Sequence, residues 1–219
     1  MARLWHDEYW LMLLQLFLKD PPGVKPLYSK GLVDLALETH IKPVYLYNKM
    51  FAFRQINTPM LQALWNKYAN EPRKLSAELR RIRSMEGFGH AEEFYEGVEA
   101  TRNWEADFLP VNSDEKAKGH AAVTPAKLII VLDLYFRLVP DTMVPGTPEV
   151  RRLARIIKLK PQQVAAIMRD FQACDPFLAH NKVETSPLYE DCKKIWARFG
   201  NDSPEKLNAL AAQLRQYWA

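Results

Sequence analysis

Apolar side chains recur every three or four positions along most of this chain, the spacing of one face of an α-helix. The alternating apolar and polar runs typical of half-buried strands are few. The pattern therefore predicts an all-α fold. The predicted helices span about 6–19, 29–38, 43–54, 59–69, 72–84, 124–138, 148–157, 161–173, 187–199 and 204–217.

Several predicted helices begin with a hydroxyl residue followed by proline. The hydroxyl can accept a hydrogen bond from the first turn, and proline is tolerated at the first helical position. These starts are Thr58-Pro59, Thr124-Pro125, Thr147-Pro148, Ser186-Pro187 and Ser203-Pro204.

The pattern of residues 11–53 returns in residues 129–171, in register and 118 positions later. Leu14 falls on Leu132, and Ala36 falls on Ala154. A unit of this length is a small domain used twice rather than a solenoid repeat. We therefore predict a first helical domain at 1–85, an acidic connecting segment and linker at 86–121, and a second helical domain at 122–219.

The second half of each copy has the pattern of a helix-turn-helix, with a small residue at the helix crossing and apolar residues along the inner face. Ala36 and Ala154 are the small residues, and Pro43 and Pro161 begin the second helices. His40 and Lys158 occupy the turn, where glycine is common. The predicted inner faces hold Leu35, Ile41 and Leu46 in the first copy, and Leu153, Ile157, Leu159, Val164 and Ile167 in the second.

The outward residues of these motifs could contact DNA. Gln and Arg can read base edges, whereas Lys and Arg can contact phosphates. In the second copy they are Arg151, Arg152, Arg155, Lys158, Lys160, Gln162, Gln163 and Arg169, with Asp170 on the same predicted face. In the first copy they are Lys42, Val44, Tyr45, Tyr47, Asn48 and Lys49, a more aromatic and less basic set that could bind DNA differently or bind protein instead.

Charge is unevenly distributed along the chain. Residues 84–117 hold nine acidic residues against two basic ones, so they carry −7 and the remainder carries +11. The helix at 72–84 is basic, and its Arg73, Lys74, Arg80 and Arg81 suit either a phosphate-contacting surface or a solvated helix. The acidic stretch 86–107 could cover a basic surface within the chain or dock a protein partner.

The two cysteines and the N-terminal sequence both favour a cytoplasmic protein over a secreted or membrane protein. Cys174 and Cys192 have no metal-binding spacing and are predicted to be buried thiols in a reducing compartment. The apolar run at 10–18 is too short to span a membrane, and Asp7 and Glu8 precede it, unlike the basic start of a signal peptide. We predict that this run is a core helix and that the chain has no membrane partner.

No catalytic or cofactor site is predicted. His90, Glu93 and Glu96 have a spacing that metal ligands can have, but a solvated acidic face is the simpler interpretation. No glycine-rich phosphate loop is present. We expect neither enzymatic activity nor a cofactor or bound metal.

Residues 124–176 also show a family pattern: LIIVLDLYFRLV at 128–139, then TPEVRRLARIIKLKPQQVAAIMRDFQACDP at 147–176, with Trp196 and Phe199 beyond. This pattern resembles the helical N-terminal domain of bacterial HNH restriction-type endonucleases. The clustered histidines of an HNH nuclease core are absent. The resemblance therefore implies a DNA-targeting domain, present twice, without the nuclease.

Together these observations predict a bacterial, cytoplasmic, non-enzymatic protein that binds double-stranded DNA through tandem helix-turn-helix units. Its role would be regulatory, as in transcription, or accessory. The alternative is a protein–protein interaction adaptor that uses the same helices.

Overall fold

The computed structural model describes residues 5, 7–85, 88, 103–111, 122–178 and 184–219. Every regular element within these ranges is helical, which confirms the all-α prediction. The chain forms two compact units, Met1–Thr101 and Arg102–Ala219. No helix in the described ranges is long and apolar enough to cross a membrane.

The first unit contains six helices in its described part. Helix α1 contacts α2, α3 and α6, and its apolar run is almost fully buried, with Leu13 and Leu14 completely enclosed. Burying one such leucine contributes roughly 1.5–3 kcal/mol. The run therefore forms part of a core, as predicted. The helices are α1 Glu8–Leu18, α2 Lys30–Thr39, α3 Pro43–Met50, α4 Ala52–Gln55, α5 Pro59–Tyr68 and α6 Pro72–Arg83.

One predicted helix of this unit is interrupted. The pattern predicts a single helix over 43–54, but the structure separates α3 from α4 at Phe51. The Arg54 N–H donates to the Phe51 carbonyl three residues back, at 3.0 Å, and this tighter turn interrupts the α-helical bonding. Ile56 then ends α4 in a left-handed conformation, with φ of 44°.

The second unit is built around one buried helix, α8, which contacts α10, α11 and α12. Ten of the eleven residues of α8 are buried, because neighbouring helices cover it on every side. The helices are α7 Asn103–Ala106, α8 Pro125–Tyr135, α9 Pro148–Ile156, α10 Pro161–Cys174, α11 Tyr189–Phe199 and α12 Pro204–Leu214. Short 3-10 turns lie at Pro140–Thr142 and Arg215–Tyr217.

Buried helix α8 carries an acidic residue inside the core. Asp133 is 3% exposed, and its carboxylate accepts hydrogen bonds from Arg137 at 2.6 Å, Arg215 at 2.5 Å and Asn208 at 3.0 Å. A buried carboxylate is tolerated only when donors surround it in this way. The network fastens the C-terminal part of the chain to the central helix.

The hydroxyl–proline starts behave differently from one another. Thr58 and Thr124 accept hydrogen bonds from the third residue of α5 and α8, as predicted. Ser186 does not start a helix: its hydroxyl donates to Asp170 at 2.5 Å and accepts from the Leu188 N–H at 3.1 Å, and α11 begins only at Tyr189.

Residues 103–111 belong to the second unit, although the sequence pattern places them in a connecting segment. Asp107 accepts two hydrogen bonds from the Arg198 guanidinium, at 2.6 and 2.9 Å. Its carbonyl also accepts from the Ala126 N–H at 2.8 Å, and Phe108 packs against Tyr217. The described part of this segment is thereby attached to α8, α11 and the C-terminal turn.

Candidate nucleic-acid interface

Helix α9 separates an apolar face from a strongly basic one. Val150, Leu153 and Ala154 are buried, whereas its three arginines are exposed to solvent. The buried residues are three and four positions apart, so they share one face of the helix, and the arginines lie on the other face. The exposed arginines are Arg151, Arg152 and Arg155.

The turn from α9 to α10 has a left-handed residue at its centre. Lys158 has φ of 56°, and the Leu159 N–H donates to the Ala154 carbonyl at 2.9 Å. In the first unit, His40 has φ of 53° and the Ile41 N–H donates to the Ala36 carbonyl at 3.1 Å. This hydrogen bond to the carbonyl five residues back closes the end of a helix in a Schellman-type turn.

The inner faces of both helix pairs are buried, as the pattern predicts. Ala36 is fully enclosed and Ala154 is 1% exposed, in keeping with small residues at a helix crossing. Each remaining predicted inner-face residue is also buried: Leu35, Ile41, Pro43 and Leu46 in the first unit, and Leu153, Ile157, Leu159, Val164 and Ile167 in the second.

Helix α10 exposes most of its predicted outward residues. Lys160, Gln162, Gln163 and Arg169 are exposed, although the Gln163 side chain accepts the Lys160 N–H at 2.9 Å and so also caps the helix. The placement of Asp170 on this face is wrong. Asp170 is completely buried, because its carboxylate accepts the Ser186 N–H at 2.7 Å as well as the Ser186 hydroxyl.

Several basic side chains of the second unit form ion pairs. Arg137 and Arg215 pair with Asp133, Arg198 pairs with Asp107, and Lys194 pairs with Asp191. By contrast, no acidic side chain in the described ranges pairs with the basic residues of the α9–α10 helix pair: Arg151, Arg152, Arg155, Lys158, Lys160 and Arg169. Their positive charge is therefore directed to solvent.

A buried lysine adds to the charge near this surface. Lys127 is 1% exposed, its ammonium donates to the Ala122 carbonyl at 2.6 Å, and it lies 5.6 Å from the centre of the Trp218 ring. Burial, and the nearby charge of Lys158, lower the pKa of Lys127 to about 8. Lys127 is not among the residues predicted from the sequence, although a lone lysine inside the apolar run of α8 is a signal for it.

The predicted contact residues of α3 differ in their surroundings. Lys42 and Asn48 are exposed, and Tyr45 is 41% exposed. Lys49 is half-buried, and its ammonium lies 5.3–5.4 Å from the ring centres of Trp5, Trp10 and Tyr45. Such cation–π contacts hold the ammonium against the rings, which makes Lys49 less available to a phosphate than Lys42.

Helix α6 presents the remaining predicted contacts. Arg73, Lys74 and Arg80 are exposed, whereas Arg81 donates to Glu78 at 2.6 Å and Arg83 donates to Glu38. The free part of this basic face is therefore smaller than the sequence suggests.

The thiols lie at the contact of α10 and α11. Cys192 is fully buried and Cys174 half-buried, and both are free. Burial raises the pKa of Cys174 to about 11 and raises that of Cys192 as well. Both thiols are thus protonated and unreactive at neutral pH.

No group of three or more metal-ligating side chains occurs in the part of the chain that the structure describes. His90, Glu93 and Glu96 lie outside that part. Comparison with known proteins finds no matching family model, no matching curated protein and no matching solved structure.

Proposed function

We propose that the second unit binds double-stranded DNA through α9 and α10, acting as a regulatory or accessory protein without catalysing a reaction. The observation that carries this proposal is the group of exposed basic residues on this helix pair without described acidic partners. The other described arginines of this unit, Arg137, Arg198 and Arg215, are paired. An unpaired basic surface attracts the phosphate backbone.

The local geometry supports a helix-turn-helix. Lys158 turns the chain in a left-handed conformation, Pro161 begins the second helix, and Ala154 is buried between its neighbours. His40, Pro43 and Ala36 have the same arrangement in the first unit. The likeness supports the proposal that the motif is used twice.

Within a helix-turn-helix, the second helix reads bases while the first helix and the turn contact the backbone. Gln162 and Arg169 on α10 are therefore assigned to base edges. The phosphate contacts are assigned to Arg151, Arg152, Arg155, Lys158 and Lys160. Arg73, Lys74 and Arg80 of the first unit could add non-specific phosphate contacts.

The free thiols of Cys174 and Cys192 support a reducing compartment, such as a bacterial cytoplasm. The resemblance of residues 124–176 to the targeting domain of HNH endonucleases supports a DNA partner.

Titration of labelled duplex DNA at several salt concentrations tests the proposal. Replacing Arg151, Arg152 and Arg155 with alanine should weaken binding to every duplex and flatten the salt dependence, because fewer counterions are released. The matched control replaces three exposed lysines of α11 and α12, namely Lys193, Lys194 and Lys206. It removes the same charge from other helices and should change binding much less.

Equal effects of both triple variants would show attraction by overall charge alone. Absence of binding to a pooled duplex library at low salt would favour the protein-adaptor alternative. Incubation of DNA with the protein and Mg²⁺, Mn²⁺ or Zn²⁺ should leave the DNA uncut, and cleavage lost on changing His90 or Glu93 would overturn the non-enzymatic assignment.

A further inference from the structure

The outer face of α3 differs in chemistry from that of α10. Val44, Tyr47, Asn48 and Phe51 follow the spacing of one helical face, and Val44 and Phe51 are 48% and 37% exposed. Tyr45 lies beside this face. Leu46 and Met50 on the opposite side are fully buried. An aromatic surface is thus held outward by a firmly packed helix.

The aromatic rings on this face are already ordered. Tyr47 and Phe51 pack edge to face with ring centres 5.1 Å apart, and the Arg54 guanidinium lies 5.3 Å from the Phe51 ring. Tyr45 packs against Trp5 at 5.7 Å. Rings held in this way lose little conformational freedom when a ligand binds.

The stretch of chain that carries these rings has charged side chains of a single sign. Between Glu38 and Glu71 the sequence contains no acidic residue, whereas it contains Lys42, Lys49, Arg54 and Lys67. Helices α3, α4 and α5 all lie within this stretch. The surface that carries the rings is therefore complementary to an anion.

We propose that the outer face of α3, with Tyr47, Phe51 and Tyr45 as stacking surfaces and Lys42 and Arg54 beside them, binds single-stranded DNA. A single strand offers a π-face on every base and a phosphate between bases, which matches the exposed rings of Phe51 and Tyr45 and the half-buried ring of Tyr47 among cations. Duplex reading relies mostly on Arg, Lys, Asn and Gln side chains at base edges, and among Val44, Tyr47, Asn48 and Phe51 only Asn48 is of that kind. The choice of DNA over RNA rests on the function proposed for the second unit.

Fluorescence anisotropy of a labelled oligodeoxythymidylate with the full chain tests this site. The double variant Tyr47→Ala, Phe51→Ala should bind at least about five-fold more weakly, since each stacked base contributes about 1–3 kcal/mol. Tyr47→Trp, which retains a stacking ring, should bind within about two-fold of the unaltered chain. Thermal unfolding of each variant reports whether it is folded. If the double variant does not fold, Tyr47→Leu removes the stacking ring while keeping a large apolar side chain.

Phe177→Ala is the matched control, because Phe177 is 89% exposed in the second unit and carries no role in this site. The triple variant of Arg151, Arg152 and Arg155 separates the two proposals: it should lose duplex binding and keep single-strand binding. If the arginine triple variant loses single-strand binding and the Tyr47 and Phe51 variants keep it, the α3 site is overturned while the duplex proposal stands.

Three further results would overturn the α3 site. The first is absence of oligodeoxythymidylate binding at low salt. The second is tighter binding of an oligouridylate through the same residues, which would assign the face to RNA. The third is a dimer seen in sedimentation and lost in the Tyr47 and Phe51 double variant, which would assign it to a second copy of the chain.

Discussion

His40 and Lys158 lie 118 positions apart and have nearly the same left-handed conformation, with φ of 53° and 56°. Each follows the first helix of a pair, and neither is glycine. A side chain in this conformation is disfavoured by roughly 1–2 kcal/mol. The two turns therefore hold strain at equivalent places, and this strain can be measured.

We expect Lys158→Gly to be more stable than Lys158→Ala by about 1 kcal/mol, because both remove the same charge and only glycine relieves the strain. At Arg155, an exposed position inside α9, the order should reverse, with glycine less stable than alanine by about 1 kcal/mol. Urea unfolding of the four variants gives both differences. The same order at both positions would contradict a left-handed Lys158.

Variants of α10 residues that read bases and of α9 residues that contact phosphates should affect DNA binding in different ways. Arg169→Ala is expected to cost about 1–3 kcal/mol at a specific duplex and little at others, if Arg169 reads a base. Arg152→Ala should weaken binding to all sequences and reduce the salt slope by about one. Titrations at two salt concentrations distinguish these patterns, with Lys194→Ala as the charge-matched control. If Lys42→Ala or Tyr45→Ala abolishes binding and these variants do not, the first unit is the duplex reader.

The buried Lys127 predicts a pH effect on stability. Its pKa is lowered in the folded protein to about 8 from an ordinary 10.5, so between these values the unfolded chain binds the proton more tightly. The contribution of Lys127 to the free energy of unfolding therefore increases as pH rises from 8 to 10.5, by up to about 3 kcal/mol.

Lys127→Met removes this titration while keeping an unbranched apolar side chain. Relative to the variant, the unaltered protein should gain stability between pH 8 and pH 10.5. Chemical unfolding of both proteins at each pH gives the difference, in which the titrations of tyrosines and cysteines cancel. A difference that does not change with pH would contradict the lowered pKa.

Stability should be far more sensitive to the loss of Asp133 than to the loss of a surface acid in the same unit. Asp133→Ala leaves the Arg215 guanidinium, whose side chain is 26% exposed, without its carboxylate, and we expect a loss of about 3–5 kcal/mol. Asp191→Ala removes a surface pair with Lys194, which is 72% exposed, and should change stability by no more than about 1 kcal/mol. Thermal unfolding of the two variants compares them, and equal losses would argue against the buried network.

Helix positions were predictable because apolar periodicity and proline starts are local signals. Proline begins α3, α5, α6, α8, α9, α10 and α12, and the predicted ranges follow their bounds closely. The buried inner faces around Ala36 and Ala154 were predictable for the same reason. The interruption at Phe51 was not predictable, because it depends on a single hydrogen bond: the Phe51 carbonyl accepts from the Arg54 N–H three residues later.

Side-chain contacts between residues far apart in the chain could not be predicted from the sequence pattern. Asp170 has the spacing of an outward residue, yet it is buried because Ser186, sixteen residues later, satisfies its carboxylate. Lys49 has the spacing of an exposed contact, yet its ammonium lies against Trp5 and Trp10 from the N-terminal part of the chain, as well as Tyr45 one turn earlier in α3. The function of either residue depends on partners that no local pattern reveals.

The attachment of Asp107 to Arg198 and of Phe108 to Tyr217 decides where the second half of the protein can be separated from the first. A fragment beginning at residue 122, where the apolar pattern resumes, would expose the ring of Tyr217 and leave Arg198 without its carboxylate. A fragment that begins at Arg102 keeps both contacts. Expression of the second unit on its own should therefore start at Arg102, twenty residues ahead of residue 122, where the sequence pattern places the start of the second domain.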